Sequence, residues 1–278
     1  DTTLDARGGN VRVVADEKAE IFGLAIGLAG GDKFALGGSI AIAVISNAVI
    51  ARIGSGARVT ASDRVEMLGE HKTTVTSLAG GVAIGQTAIG AAVATGWVVT
   101  TNTAEIQGNA FVQGIGGVLV QANSPQSVRV VAIGGAVSDR TAVAGSVAIP
   151  VVNDTTVAQI GDRDATAAGA GVRAGTGRGT TGDVEVLATG DLFLMGTGGA
   201  LSLSGRVGVG VGVDTGVVTR WTEARIGNRA RVEADGNVRI DAKTLGETVG
   251  VSAAGVAALQ VAVGVGAGVS VISLKTHA

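Results

Sequence analysis

Few side chains in this sequence have the chemistry that a catalytic or metal site requires. The two imidazoles, His71 and His277, each follow an apolar segment in a short polar stretch, so we expect both to be solvated. Cysteine is absent, which excludes thiolate nucleophiles, disulfides and Cys-based zinc sites. Neither a Gly-x-Ser-x-Gly elbow nor a Gly-Lys-Ser/Thr phosphate loop occurs. We therefore expect a protein that is not an enzyme and that holds no cofactor and no metal.

Two patterns come closest to a ligand site. Residues 177–182 match the dinucleotide-binding pattern Gly-x-Gly-x-x-Gly, but they precede a strand and do not join a strand to a helix. Asp154, Asp162 and Asp164 offer carboxylates for calcium, but the Gly-Gly-x-Gly-x-Asp repeat of calcium-binding solenoids is missing. We interpret the first pattern as a surface loop and the carboxylates as solvated turn residues.

The composition departs strongly from the globular average. Of 278 residues 47 are Gly, and aromatic residues make up only 2 %, so Val, Ile, Leu and Ala must fill the core. Hydrophobic residues at 46 % and charged residues at 16 % exclude the composition of a disordered chain. A formal net charge of −2 without a basic cluster indicates that nucleic acid is not a partner.

Three uncharged stretches are long enough to suggest membrane-spanning helices: Phe34 to Ala51, Val75 to Ala104 and Thr248 to Leu274. Within them bulky and small residues alternate with a period of two, which indicates strands. Because Tyr is absent and the second face of these strands is Gly and Ala, we expect a protein that does not span a membrane. A face of Gly and Ala is flat, so it can lie close to another sheet, another chain or ordered water.

The chain contains an internal repeat of about 53 residues. Its landmarks are an Ile before a polar turn and a Val that opens the last strand of each unit. The Ile recurs at intervals of 53, 54 and 66 residues, and the Val at intervals of 54, 53, 66 and 54. The positions are Ile53, Ile106, Ile160 and Ile226 for the first landmark, and Val11, Val65, Val118, Val184 and Val238 for the second.

The repeat predicts the organisation of the whole chain as one array. The units are 19–71, 72–124, 125–190 and 191–243, with partial units at 1–18 and 244–278. In each unit two apolar strands flank a polar turn and precede two short alternating strands. Such a unit cannot bury its apolar face alone, so the units must stack. If each unit made two coils, the chain would form a rod roughly 50 Å long.

The repeat pattern, clearest from Ile226 to Ala242, resembles that of filamentous haemagglutinin-like and leukotoxin-type filamentous adhesins and of large autotransporter passengers. The segment from Val152 to Gly161 strengthens the likeness. The resemblance implies a right-handed parallel β-helix, secretion to the bacterial cell surface, and a role in adhesion, virulence or biofilm formation as a shaft or spacer. The partners it implies are surface or matrix components of a host or neighbouring cell, or other copies of the chain.

Two other functions stay open. A self-assembling extracellular filament or matrix protein would pack chain against chain through the flat Gly/Ala faces. An ice-binding solenoid would need a regular Thr ladder, but Thr100-Thr101 and Thr155-Thr156 do not recur in register.

The long third interval is explained by an insertion rich in Gly, Ala and Thr at 165–181. Loops that leave a regular scaffold often carry recognition, so this insertion is the candidate recognition loop. Its candidate contact residues are Arg173, Thr176, Arg178 and Thr180. The alternative is a tolerated insertion without function.

Overall fold

The structure is a computed structural model that describes residues 2–162, 169–176 and 181–278. Strands make up 86 % of it and the described residues contain no helix, which confirms the predicted all-β class. The strands are β1 (Thr3–Ala6), β2 (Val11–Ile53), β3 (Arg58–Ala61), β4 (Arg64–Ile106), β5 (Phe111–Gly114), β6 (Gly117–Ile160), β7 (Gly171–Ala174), β8 (Asp183–Ser204), β9 (Val207–Ile226), β10 (Arg231–Ala234), β11 (Val238–Ala258) and β12 (Val261–His277).

Equivalent strands pair in parallel, so successive repeats stack as the coils of a β-solenoid. The short strands form one sheet in the order β1-β3-β5-β7-β10. The long strands form a second ladder, β2-β4-β6-β8-β11, in which β9 pairs with β6 and with β12. The landmark Val residues are direct partners, from Val11 opposite Val65 to Val184 opposite Val238. One repeat therefore makes one coil.

Each coil folds back on itself halfway along its long strand. In β2 the direction reverses around Gly31 to Phe34, where the register to β4 also shifts. In the fourth and fifth coils the same point separates β8 from β9 and β11 from β12. We call the two parts the outgoing and returning halves, the reversal the tip, and the region beside the short strands the base. The facing halves together form the arm.

The coil is much wider than the stack is tall. An outgoing half such as 11–31 extends about 65 Å at about 3.3 Å per residue, whereas five coils at a spacing of about 4.8 Å stand about 20 Å tall. The prediction of a rod roughly 50 Å long assumed two coils per repeat. It is wrong, because each repeat makes one coil and most of that coil runs perpendicular to the stacking axis.

The predicted insertion at 165–181 contains a strand of the solenoid. Its residues 171–174 form β7, which pairs with β5 on one side and with β10 on the other. Val172 and Ala174 point into the core at the same register as Val112 and Gly114. The residues that lengthen this coil therefore lie in two separate places, before and after β7.

The interior tapers from the base to the tip. Beneath the short sheet the core contains large side chains such as Met67, Ile106 and Ile160. The middle of the arm is filled mainly by Val and Ala, for example Val98 and Ala132. Near the tip every buried residue of the hydrophobic cluster is Ala: Ala35, Ala83, Ala88, Ala136, Ala142, Ala144 and Ala200. The two halves of the arm therefore converge towards the tip.

Glycine occupies inward positions where the two halves are closest. A Cβ added to Gly81 would lie 1.9 Å from the carbonyl oxygen of Ala91, and one added to Gly134 would lie 2.2 Å from that of Gly145. The flat Gly/Ala face was expected to lie against another sheet, another chain or water. In the structure it lies against the other half of its own coil, and the bulky residues of the same strands point outward.

This packing predicts very different effects of alanine substitution at two adjacent glycines. We expect Gly81→Ala to lower the free energy of unfolding by about 2–3 kcal/mol, because the new methyl group meets backbone that cannot move aside. Gly80→Ala is the matched control, since a Cβ there meets no atom within 4 Å. Its effect should stay within about 0.5 kcal/mol. Urea unfolding followed by circular dichroism measures both, and equal effects would contradict the close approach of the halves.

Candidate functional surface

The outer faces of the arm form two apolar bands, one on the outgoing and one on the returning halves. In the first coil every large side chain of the bands is more than half exposed: Phe22, Leu24, Ile26 and Leu28 on the outgoing half, and Phe34, Leu36, Ile40, Ile42 and Val44 on the returning half. Residues that pair with one another from coil to coil form a column across the ladder, and each column of the bands continues through the other four coils. Exposed members there include Ile84, Trp97, Ile133, Leu201, Val251 and Val271.

Largely polar columns border the bands at both ends. On the outgoing half the column of Glu20 continues towards the last coil as Thr74, Ser127, Phe193 and Glu247, in which only Phe193 is apolar. On the returning half the column of Ser46 continues as Val99, Asn153, Thr219 and Ser273, in which only Val99 is apolar. At the tip, the exposed charged residues are Asp32, Lys33, Asp139, Arg140 and Arg206. Each band is therefore a strip of apolar surface between two largely polar margins.

Sequence reasoning identified the alternation in these strands but did not identify the bands as exposed surface. Large apolar side chains are usually the buried ones. The signal that could have located them outside is the Gly on the opposite face, as in Gly23 and Gly27 beside Phe22 and Ile26. A face of Gly and Ala can be buried only against a partner that is equally flat.

A polar layer crosses the interior between the base core and the arm core. Asp154 and Arg220 are completely buried and form an ion pair, with Arg220 Nη2 2.7 Å from Asp154 Oδ2. Asp154 Oδ1 accepts hydrogen bonds from Thr100 Oγ1 at 2.6 Å and from Gln126 Nε2 at 2.8 Å. Arg220 also donates to three backbone carbonyl groups. Both charges are thus hydrogen-bonded, as a stable buried ion pair requires.

The position of Asp154 corrects the interpretation of this residue as part of a solvated turn. It belongs to strand β6, and its side chain points into the solenoid. It pairs with Thr100 in the coil below and with Arg220 in the coil above. Asp162 is exposed, and Asp164 lies outside the described residues. Within residues 2–162, 169–176 and 181–278, no group of three or more His, Cys, Asp or Glu is placed to hold a metal ion.

His71 also lies in the polar layer, so the expectation that it is solvated is wrong. Its Nε2 is 2.6 Å from Thr73 Oγ1, and its Nδ1 is 3.7 Å from Glu17 Oε2. Burial lowers the pKa of His71 below its ordinary value, although the carboxylates of Glu17 and Asp154 oppose this shift. His277 is exposed, as expected, and stacks on the indole ring of Trp221.

The candidate recognition residues do not form one loop. Arg173 lies in β7 and lines a shallow groove on the outer face of the short sheet, together with Phe111, Arg231 and Glu233. Its Nε is 3.9 Å from a carboxylate oxygen of Glu233. Thr176 is exposed just after the strand. Arg178 and Thr180 lie outside the described residues, as does most of the Gly-x-Gly-x-x-Gly segment.

Comparison of the chain with protein-family models, with curated proteins and with solved structures finds no match. The likeness to filamentous adhesins thus stays a resemblance of repeat pattern. Among the residues that the structure describes, no helix is long and apolar enough to cross a membrane.

The buried ion pair predicts a strong dependence on both partners. Asp154→Ala should lower the free energy of unfolding by about 3–5 kcal/mol, because it leaves the Arg220 guanidinium buried without its counter-charge. The double variant Asp154→Ala/Arg220→Met should lose clearly less than the sum of the two single variants. Additive losses in urea unfolding would show that the two side chains do not interact.

The burial of His71 predicts a pH dependence of stability. Because the folded pKa is depressed, the unfolded state binds more protons between the folded pKa and about 6.5, the unfolded value. The contribution of His71 to the free energy of unfolding is complete above about pH 6.5. It is lost as the pH falls from about 6.5 to the folded pKa. Unfolding at pH 8 and pH 5.5 should show a smaller loss for His71→Gln than for the unmodified chain. His277→Gln, at an exposed position, should behave like the unmodified chain, and the same loss in all three proteins would exclude His71 as the cause.

Proposed function

We propose that this chain is a structural segment of a bacterial surface or secreted adhesin, in which stacked coils act as a shaft or spacer. The observation that carries the proposal is the in-register ladder through all five coils. Corresponding residues of successive repeats are direct partners along both sheets, so each coil is an interchangeable unit of length. A spacer needs this property, because its length is then set by the number of coils.

The interior polar groups hold each coil in the shape that a shaft requires. Asp154 on a returning half accepts hydrogen bonds from Thr100, from Arg220 and from Gln126 on an outgoing half, so these contacts bind the two halves of the arm together. The assignment to an adhesin at the bacterial surface is supported by the resemblance of the repeat to filamentous adhesins. In this role the groove beside Arg173 is the candidate contact site for surface or matrix components, because Phe111 and Arg231 give it both an aromatic and a cationic wall.

The interchangeable coil can be tested by deletion. Removing residues 65–117 joins Arg64 to Val118. Val118 is the partner of Val65 in the next coil, so the register of the ladder is kept. We expect this variant to fold and to have a stack shorter by about 4.8 Å in small-angle X-ray scattering. Removing only residues 65–90 is the control, since it joins the start of an outgoing half to a returning half and should abolish folding. A whole-coil deletion that unfolds like the half-coil deletion would contradict the spacer function.

Self-assembly is the second candidate, and the exposed apolar bands favour it. The Gly/Ala faces through which it was expected to occur lie inside the coil, so copies would have to pack through Ile40, Ile42 and their equivalents. Sedimentation velocity over a range of concentrations separates the two candidates, because only self-assembly gives growing species. The third function, ice binding, has less support, since the column of Thr101 and Thr155 continues as Ala48, Trp221 and Lys275.

A further inference from the structure

The two apolar bands have the height of the hydrocarbon layer of a membrane. The returning band runs ten residue steps from Phe34 to Val44, and the outgoing band runs eight steps, from the column of Phe22 to that of Gly30, which contains the exposed Ile84. At about 3.3 Å per step they are about 33 Å and about 26 Å high. The hydrocarbon core of a bilayer is about 30 Å thick. Because the bands belong to facing halves of one arm, they lie at the same level on its two sides.

Four of the six aromatic residues of the chain lie at the margins of these bands. Phe22 and Phe193 occupy adjacent columns at the base margin of the outgoing band. Trp97 lies at the base margin of the returning band, in the column of Val44, and Trp221 lies two columns closer to the base. Phe34 lies at the tip margin. Trp, like Tyr, is enriched where membrane hydrocarbon meets the headgroups, and Phe is compatible with the hydrocarbon itself.

Cationic side chains lie at the base margin of the outgoing band and just beyond that of the returning band. Among the described residues of the bands, Arg129 is the only charged one, and its guanidinium lies 5.3 Å from the ring centroid of Phe193, in the next column towards the base. Lys275 lies 5.5 Å from the ring centroid of Trp221. Long cationic side chains at the end of an apolar surface reach towards lipid headgroups in this way.

We propose that the arm inserts tip first into a lipid bilayer, with both bands in contact with the acyl chains, in contrast to the expectation from the sequence that the chain does not span a membrane. Lipid surrounds the arm, so it covers both faces at once and accounts for the aromatic residues at the margins of both. A second copy of the chain would cover one face per contact and gives no reason for that placement. The inference is independent of the spacer function, because it concerns the outer faces of the arm and not the stacking axis.

The backbone of the arm is compatible with hydrocarbon except at the two edges of the stack. Between coils every long strand has a parallel neighbour on each side, so its peptide groups are paired. The outer edges of β2 and of β11 and β12 have no neighbour in the ladder. Each unpaired peptide group at these edges costs several kcal/mol in hydrocarbon. The number of such groups is the same for any number of coils, whereas the apolar area grows with each coil. Affinity for lipid should therefore rise with coil number.

Flotation with vesicles of neutral phosphatidylcholine tests the proposal without electrostatic attraction. The band variant is Ile26→Glu/Ile42→Glu, and the control is Val14→Glu/Ile50→Glu on the same strand but nearer the base. These four side chains are 65 %, 67 %, 46 % and 48 % exposed, so folding should be preserved in both variants, as circular dichroism can verify. We expect the unmodified chain and the control to float with the vesicles and the band variant to bind at least about tenfold more weakly.

Depth-dependent quenching tests the orientation. With Trp221→Phe, Trp97 is the only indole and should be quenched most by lipids that carry bromine near the headgroup. With Trp97→Phe, Trp221→Phe and Ile40→Trp, the indole lies in mid-band and should be quenched most by bromine near the chain ends.

Three results would overturn the proposal: no flotation of the unmodified chain, equal losses in the band and control variants, or the same quenching depth for both indoles. If the unmodified chain formed oligomers at high concentration and did not bind lipid, and the band variant stayed monomeric, the bands would instead be an interface with a second copy.

Discussion

The arm depends on the close approach of its two halves, at which the backbone of one sheet meets the backbone of the other. At Gly81 not even a methyl group fits, because a Cβ there would lie 1.9 Å from the carbonyl oxygen of Ala91. Burial of Gly and Ala contributes little apolar area per residue. The arm is therefore stabilised chiefly by the parallel ladders between coils, and a single isolated coil would have too small a core to hold the arm together.

The polar layer marks the boundary between the base and the arm. On its base side the core contains Met67 and Ile106, and on its arm side it narrows to Val and then to Ala. The Asp154–Arg220 pair connects the third and fourth coils inside the solenoid, where a shift in register would leave two buried charges unpaired. The layer therefore opposes slippage between coils that have similar Gly/Ala alternation and could otherwise pair out of register.

The all-β class and the stacking of repeats could be predicted from the sequence, because the alternation and the period are visible in it. The Val landmarks give the period, and in the structure they are direct partners between coils. The number of coils per repeat could not be predicted, since two apolar strands around a polar turn, as at Gly31 to Phe34, have the same pattern whether they belong to one coil or to two. Strand β7 was hidden in a Gly-rich segment because only Val172 and Ala174 mark its inward face. His71 and Asp154 were misjudged because their burial depends on neighbouring coils.

The apolar bands are not required by the fold, and this separates them from the rest of the hydrophobic residues. Outward positions of the arm accept polar side chains, as Thr95 and Thr197 show within the columns of Ile42 and Leu24. The inward faces and the ladders would be unchanged if every outward Leu and Ile were Thr, which also favours strands. A protein that only needed length would gain solubility from such a surface. The proposed contact with lipid gives a reason for the aliphatic side chains on both outer faces, which the fold itself does not give.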